Sequence, residues 1–160
     1  MNEFLALILA TFIPTIELRG SIPLGILYYH LPWYQVFFVC VLANIFLGMI
    51  FYFFIEFFVD VVCYFKPINN LYQKYSSKVH KKISKYVERY GIIGVALFIA
   101  VPLPGSGVYS GGVGAFLLGM DYKEFMIASI FGVLIAGILV TLLVLSGNTL
   151  LAGKISTIFS

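Results

Sequence analysis

Two ionisable side chains, Glu17 and Arg19, stand in a break within an otherwise apolar segment. Pro14 precedes this break and Pro23 ends it, and the residues on both sides are almost wholly apolar. If those flanks lie in a membrane, each charge costs about 2.5 to 3.5 kcal/mol at the bilayer centre, so such residues usually have a function. In an extended loop both side chains project to one face. The stretch therefore predicts an acid and a base held together inside a membrane.

The chemistry of this first loop suits an anionic ligand. A guanidinium group matches phosphate oxygens bidentately, so Arg19 is the predicted binder of an anionic head group, and we include Ser21 in the same binding set. Glu17 would counterbalance or release that anion, and a buried carboxyl group can also carry a proton. The alternative is an ion pair that only holds the loop in place, although apolar residues could do so at a lower desolvation cost. Three residues are predicted to form the loop itself: Pro14, Gly20 and Pro23.

A second break, rich in proline and glycine, runs from Pro102 to Gly114 and carries no charge. Its backbone amides, next to a helix N-terminus, could bind an anion. Alternatively, the glycines only allow two hairpins to approach closely. Tyr109 is predicted either to hydrogen-bond to the opposite hairpin or simply to pack. Pro102 is predicted to form this loop, and the predicted substrate-binding residues in it are Pro104, Gly105, Ser106, Gly107 and Tyr109.

The composition indicates an integral membrane protein. Of the 160 residues, 61% are hydrophobic and 11% are charged, whereas a soluble domain is roughly 45 to 50% apolar and about 25% charged. A soluble fold of this length could not bury so much apolar surface. Because no linker or low-complexity tract divides the chain, one membrane domain is expected over residues 1–160.

Several chemistries are not supported by the sequence. Cys40 and Cys63 are expected on one helix, about 35 Å apart, which is too far for a disulfide within the chain. His30 and His80 are isolated, so no metal site is predicted. No Ser/His/Asp set, catalytic cysteine or pair of carboxylates is visible, and we expect neither enzyme activity nor a cofactor.

The apolar stretches divide into short and long ones. Residues 4–13 and 22–29 are each too short to cross a bilayer, and the prolines between them predict two short helices that meet at a loop. The interval from Trp33 to about Phe58 is long enough to span, as is that from Tyr122 to about Ser146. Asp121 and Glu124 have the spacing of a capping box before the second span.

Residues 66–90 carry seven of the ten lysines and arginines. Their apolar positions recur every three or four residues, which predicts a basic amphipathic helix on an anionic membrane surface. The positive-inside rule places it in the cytoplasm. We expect no nucleic-acid binding, because no binding fold accompanies the charge.

A shift of 89 residues superimposes the two halves of the chain, so that each half reads as short helix, loop, short helix, turn and long span. The predicted fold is all-α, with two inverted repeats at 1–65 and 91–147, each a re-entrant helical hairpin followed by a transmembrane helix. The basic helix joins the repeats, residues 148–160 form a tail, and both termini lie outside. The alternative topology has four ordinary spans and both termini inside. Three pairs coincide under the shift: Ser21 with Ser110, Gly25 with Gly114, and Gly48 with Gly137.

A stripe of small residues marks one face of the second span, at Ala128, Gly132 and Ala136. Such stripes are typical of close helix contacts in membranes. The partner is predicted to be either the neighbouring hairpin or a second copy of the chain in a homodimer.

The string from Pro14 to Pro23, Pro-Thr-Ile-Glu-Leu-Arg-Gly-Ser-Ile-Pro, together with Pro102-Leu-Pro-Gly-Ser-Gly-Val-Tyr109, resembles the small multidrug export protein family. That family is similar to the DedA superfamily, also called the VTT or SNARE-associated group. The resemblance implies paired re-entrant hairpins in a prokaryotic cytoplasmic membrane, and lipid scrambling or the return of polyprenyl-phosphate carriers. It assigns Glu17 as the acid and Arg19 as the phosphate partner. The second loop lacks the basic residue that DedA proteins carry.

The leading prediction is a small transporter or lipid scramblase that moves an amphipathic anion through these loops, with proton coupling as an option and membrane lipids as partners. One alternative is efflux of cationic drugs, for which Glu17 would be the essential charge. Another is a protein without transport activity that organises the membrane through its basic helix.

Overall fold

The computed structural model describes residues 3–63, 91–103 and 105–158. The predicted basic helix at 66–90 and the loop residue Pro104 lie outside the described residues.

The described residues form six α-helices and one π-helical turn, with no strand among them. This confirms the all-helical prediction. In chain order the elements are α1 (Glu3–Thr11), α2 (Glu17–Pro23), the π turn (Leu24–Tyr28), α3 (Trp33–Cys63), α4 (Ile92–Ala100), α5 (Val108–Leu117) and α6 (Tyr122–Ile158).

The two long helices begin where the sequence predicts. Helix α3 starts directly after Pro32. Proline is favoured at a helix start, because the first N–H groups of a helix have no acceptor within the helix and proline lacks this group. At the start of α6, the backbone N–H of Asp121 donates a hydrogen bond to Glu124 Oε2 at 3.0 Å. This contact is half of the predicted capping box.

Helices α1 and α2 pack against each other as an antiparallel hairpin. Thr11 Oγ1, at the end of α1, lies 2.9 Å from Ser21 Oγ of α2. Further along, a methyl group added to Gly25 would lie 3.1 Å from Leu7 Cδ1 and 2.6 Å from Val36 Cγ1. Residues 12–16 make the turn between the two helices.

Helices α4 and α5 form the second hairpin. A methyl group on Gly111 of α5 would lie 2.6 Å from Ile99 Cγ1 of α4, so this glycine lets the two backbones approach closely. The loop between the helices covers residues 101–107.

Both loops are shorter than the sequence analysis predicts. Gly20 and Pro23, predicted as loop residues, lie in α2, and α5 begins at Val108 although its glycines suggested a loop as far as Gly114. Helix α2 passes into the π turn directly after Pro23. Such a local adjustment accommodates a proline in a membrane helix.

The chain divides into two compact units, and each takes part of both long helices. Unit 1 comprises residues 1–44 and 134–160, which include the first hairpin. Within it, a methyl group on Gly137 of α6 would lie 2.8 Å from Val41 Cγ2 of α3.

Unit 2 comprises residues 45–133, which include the second hairpin. Here a methyl group on Gly48 of α3 would lie 2.8 Å from Val108 Cγ1 and 3.0 Å from Ser129 Oγ. Helix α3 therefore contacts both α5 and α6 within this unit.

Helix bounds recur with the offset found in the sequence. Adding 89 to the bounds of α1, at 3 and 11, gives 92 and 100, which are the bounds of α4. The same addition relates Tyr28, the last residue of the first hairpin, to Leu117, the last residue of α5. It relates Trp33, the first residue of α3, to Tyr122, the first residue of α6. It also takes the unit boundary after residue 44 to the boundary after residue 133.

Among the helices that the structure describes, α3 and α6 are long enough to cross a membrane. Their apolar parts, Trp33–Phe58 and Tyr122–Gly147, are 26 residues each, with mean hydropathy values of 2.5 and 2.8, and about 39 Å long. In an apolar stretch of 18 residues within each of these helices, only 39% and 44% of the residues are buried. Most of their apolar side chains therefore face outward, as lipid contact requires. Helix α1 has nine residues and is about 14 Å long, less than half a span.

Candidate functional site

Glu17 is a buried carboxylate at the first residue of α2. Its exposed fraction is 4%, and its backbone N–H donates to the carbonyl oxygen of Ile13 at 3.0 Å. Its φ angle is 46°, in the left-handed region, where a residue with a side chain costs about 1 to 3 kcal/mol. Such strain concentrates at functional sites.

Arg19 is partly exposed and interacts electrostatically with Glu17. The sequence predicts the side chains of Glu17 and Arg19 on one face of an extended loop, but both residues lie on helix α2. Residues two apart on a helix do not face each other. Glu17 is therefore held inside, whereas the Arg19 residue is partly exposed, with its Nε atom buried.

A line of buried hydroxyl groups joins the elements around Glu17. Ser21 Oγ donates to the carbonyl oxygen of Glu17 at 2.7 Å and lies within hydrogen-bonding distance of Thr11 Oγ1. Thr11 Oγ1 also lies 2.8 Å from the carbonyl oxygen of Leu7 in its own helix. Ser21, a predicted substrate contact, thus connects α1 to α2, and its hydroxyl is engaged within the protein.

Asn44 of α3 was not identified from the sequence. Its exposed fraction is 0%, and neither polar atom of its side chain has a hydrogen-bond partner among the described residues. It lies one helical turn after Cys40, on the same face of α3. An isolated polar residue within a long apolar run was the signal that could have indicated Thr11 and Asn44.

The hydroxyl groups of Ser106, in the second loop, and of Ser110, in α5, form hydrogen bonds with the backbone of that loop. Ser106 is buried, and its Oγ donates to the carbonyl oxygen of Val101 at 2.7 Å or of Leu103 at 3.0 Å. Ser110 Oγ lies 2.5 Å from the carbonyl oxygen of Gly105, whose φ of 86° suits only glycine. Both serines therefore stabilise the loop. That Gly105, Ser106 and Gly107 bind an anion stays a prediction.

Tyr109 packs against α3 within unit 2. Its ring lies edge-on to that of Phe51, with the ring centroids 4.7 Å apart. This contact fits the packing role, one of its two predicted roles. Of the predicted loop-forming prolines, Pro14 is exposed in the first turn and Pro102 is partly exposed in the second loop.

The stripe of small residues on α6 is buried within the chain. Ala128 and Ala136 are 0% and 1% exposed. A methyl group on Gly132 would lie 2.8 Å from the carbonyl oxygen of Ala96 in α4. The close contact at Gly132 is therefore made with the neighbouring hairpin, one of the two predicted partners.

In the part of the chain that the structure describes, no group of three His, Cys, Asp or Glu residues could hold a metal ion. Within the first hairpin of unit 1, Glu17 and Arg19 are the charged residues that follow the turn.

In the described residues, these observations define an all-helical membrane protein with two apolar helices long enough to span a bilayer, two short helical hairpins, and a buried acid next to a partly exposed base. The family described as "Putative small multi-drug export protein" matches residues 17–139, and the chain belongs to that family. No curated protein and no solved structure matches the chain at a significant level. The resemblance to the small multidrug export family is thus confirmed, and the similarity to the DedA superfamily stays a prediction.

Proposed function

We propose that this protein is a multi-pass transporter of a prokaryotic cytoplasmic membrane that moves an amphipathic anion, of which a lipid phosphate such as polyprenyl phosphate is the expected example. Arg19 binds the anionic head group, and Glu17 is the counter-charge that holds Arg19 in place when no substrate is bound. Membership of an export family supports transport as the activity.

One observation carries the choice of an anion. Arg19 is partly exposed, whereas Glu17 is only 4% exposed. A ligand that approaches the first hairpin can therefore reach the Arg19 residue more readily than the Glu17 residue, although Arg19 Nε itself is buried. Guanidinium groups bind phosphate oxygens in a bidentate geometry that an ammonium group cannot reproduce.

The second candidate is export of cationic drugs, which the family description favours. A cationic substrate would need the carboxylate of Glu17 and would be repelled by Arg19. The two candidates therefore predict opposite effects of the same substitutions. Anion transport requires Arg19, whereas cation export is preserved in Arg19→Gln and lost in Glu17→Gln.

We expect Arg19→Ala to lower the rate of lipid-phosphate movement about tenfold or more, because a hydrogen-bonded contact to a charged group contributes about 1.5 to 3 kcal/mol. The measurement is transbilayer movement of labelled polyprenyl phosphate and labelled phospholipid in liposomes that contain the purified protein. Lys123→Ala is the matched control, since Lys123 is an exposed cation at the start of α6.

Equal rates for wild type and Arg19→Ala would refute the proposed role of Arg19. A drug-sensitive deletion strain that is rescued by Arg19→Gln but not by Glu17→Gln would establish cation export instead.

We further propose that both hairpins are re-entrant and that the two repeats have inverted orientations in the membrane. Two observations support this: α1, α4 and α5 have nine, nine and ten residues, too few for a span, and helix bounds recur at the 89-residue offset. Irregular backbone at membrane depth is tolerated where protein surrounds it. The hydrogen bonds of Ser106 and Ser110 within the second loop fit that requirement.

Cysteine labelling tests this topology at two exposed positions that flank the first hairpin, Glu3 and Tyr34. In a background without native cysteines, we expect Glu3→Cys and Tyr34→Cys both to react with a membrane-impermeant maleimide added to whole cells. Lys123→Cys should react only after lysis. If Tyr34→Cys reacts in whole cells and Glu3→Cys does not, the first hairpin is an ordinary span.

A further inference from the structure

A turn rich in aromatic side chains joins the first hairpin to α3. We name it the aromatic corner, and it consists of Tyr28, Tyr29, Trp33 and Tyr34. The rings of Tyr28 and Tyr29 meet edge-on with centroids 5.1 Å apart, and those of Trp33 and Tyr34 do so at 6.0 Å. The exposed fractions of Tyr28, Trp33 and Tyr34 are 72%, 51% and 49%. Large aromatic rings thus project from the described part of the protein at this turn.

The exposed face of α3 changes its chemistry as it leaves the corner. Tyr34, Phe38 and Leu42 follow one another at intervals of four residues, so they share one face of the helix. Phe38 and Leu42 are 61% and 65% exposed. Their side chains have no polar atom, whereas tyrosine and tryptophan each carry one at the edge of an apolar ring. Polar-tipped rings at the corner are therefore followed by wholly apolar side chains within about two helical turns.

Neither bulk water nor hydrocarbon suits the corner. Exposed patches of large apolar groups are uncommon in water and mark interaction surfaces. In hydrocarbon the difficulty is the backbone, because residues 29–32 are not helical and irregular backbone is not tolerated against lipid tails. The headgroup layer of a bilayer accommodates both features. There the body of each ring packs against lipid, while its hydroxyl or N–H group and the backbone of the turn reach water.

The matching turn of unit 2 has a different composition. The 89-residue offset relates residues 28–34 to residues 117–123. The first stretch contains no Asp, Glu, Lys or Arg, whereas the second contains Asp121 and Lys123, both exposed. Full charges suit contact with water, and uncharged amphipathic rings suit the boundary between water and lipid. The contrast indicates that the aromatic corner has acquired a contact that its counterpart lacks.

We propose that the aromatic corner is a lipid-binding surface that lies in the headgroup layer and holds unit 1 at a fixed depth in the bilayer. Leu42 lies nine residues beyond Trp33, about 14 Å further along the axis of α3. Because half of the hydrocarbon thickness is about 15 Å, a corner at headgroup level brings Leu42 close to the bilayer centre. This proposal does not depend on whether Arg19 binds an anion.

The corner also limits the depth of Arg19. Nine residues separate Arg19 from Tyr28 through α2 and the π turn, so their Cα atoms are at most about 14 Å apart along the helix. With Tyr28 in the headgroup layer, Arg19 can reach no further than about the centre of the bilayer. Arg19 is thereby kept in the half of the bilayer on which the corner lies.

Trp33 allows a direct measurement, because it is the single tryptophan of the chain. The full-length protein is reconstituted with phospholipids brominated either near the headgroup end of the acyl chain or near its methyl end, since bromine quenches tryptophan fluorescence on contact. We expect the shallow bromines to quench Trp33 more strongly than the deep ones. Phe38→Trp and Leu42→Trp, each combined with Trp33→Phe, extend the series along one helix face. For Leu42→Trp the order should be reversed, with the deep bromines quenching more strongly.

Three results would overturn the proposal. Stronger quenching of Trp33 by deep than by shallow bromines would place the corner within the hydrocarbon. Quenching by aqueous iodide but by neither lipid would place it in water. Protection from all three quenchers would show that another protein surface covers it. The wild-type measurement needs no substitution, so it distinguishes these results even if a tryptophan variant fails to fold.

Discussion

Tyr52→Ala is expected to lower the free energy of unfolding by about 3 to 5 kcal/mol, the range for a large buried aromatic side chain. Tyr52 is 0% exposed, and its ring stacks on Phe125. The substitution leaves a cavity between α3 and the start of α6 in unit 2, because the buried ring packs against the rings of Tyr122 and Phe125. It also removes the hydrogen bond to the carbonyl oxygen of Met120.

Unfolding in increasing denaturing detergent, followed by circular dichroism, measures this effect. Tyr52→Phe is the first control and should cost only about 1 kcal/mol, since it keeps the ring and loses one hydrogen bond. Tyr34→Ala is the second control, because Tyr34 is 49% exposed and should change stability little. A loss for Tyr52→Ala no larger than that for Tyr34→Ala would show that unit 2 is not packed around this ring.

The parts of the fold that follow from local chemistry could be predicted from the sequence. Long runs of apolar residues without proline predicted α3 and α6, and the start of α6 at Tyr122 followed from the spacing of Asp121 and Glu124. Pro14 predicted the turn that separates α1 from α2. These features depend on the residues of one segment and on hydropathy, so no knowledge of packing was needed.

The extent of the loops could not be predicted, because glycine has two opposite uses. In a loop it allows unusual backbone angles, as at Gly105, whereas on a helix it allows close packing, as at Gly111 against Ile99. Only the neighbouring element decides between these uses. From the sequence alone both kinds of glycine read as loop residues, so the predicted start of α5 is too late.

The surroundings of the candidate site could not be predicted for the same reason. The residue types at Glu17 and Arg19 identified the charged pair, but the burial of one and the partial exposure of the other depend on how α2 packs. The hydrogen bond between Thr11 and Ser21 joins two separate helices, α1 and α2.

A double-mutant cycle on Glu17 and Arg19 separates a functional pair from a structural one. Removing one partner of a buried ion pair leaves an uncompensated charge and costs about 3 to 5 kcal/mol. Because Arg19 is partly exposed, we expect a smaller loss of about 2 kcal/mol for Glu17→Gln. The double variant, Glu17→Gln with Arg19→Gln, should recover most of that stability, since no unpaired charge remains.

Stability and transport are measured on the same four proteins, and the proposed function predicts that the two readouts differ. The double variant should fold nearly as stably as the wild type and yet move lipid phosphate as slowly as Arg19→Gln, because both lack the guanidinium group that binds the anionic head group. If transport recovered together with stability, the pair would serve only to hold α2 in place. If the stability losses of the two single variants add up in the double variant, the two side chains do not interact. That result would contradict the electrostatic coupling between them. The proposal thus depends on Arg19 doing more than neutralising Glu17, because its partial exposure gives it access to a substrate that the buried carboxylate does not have.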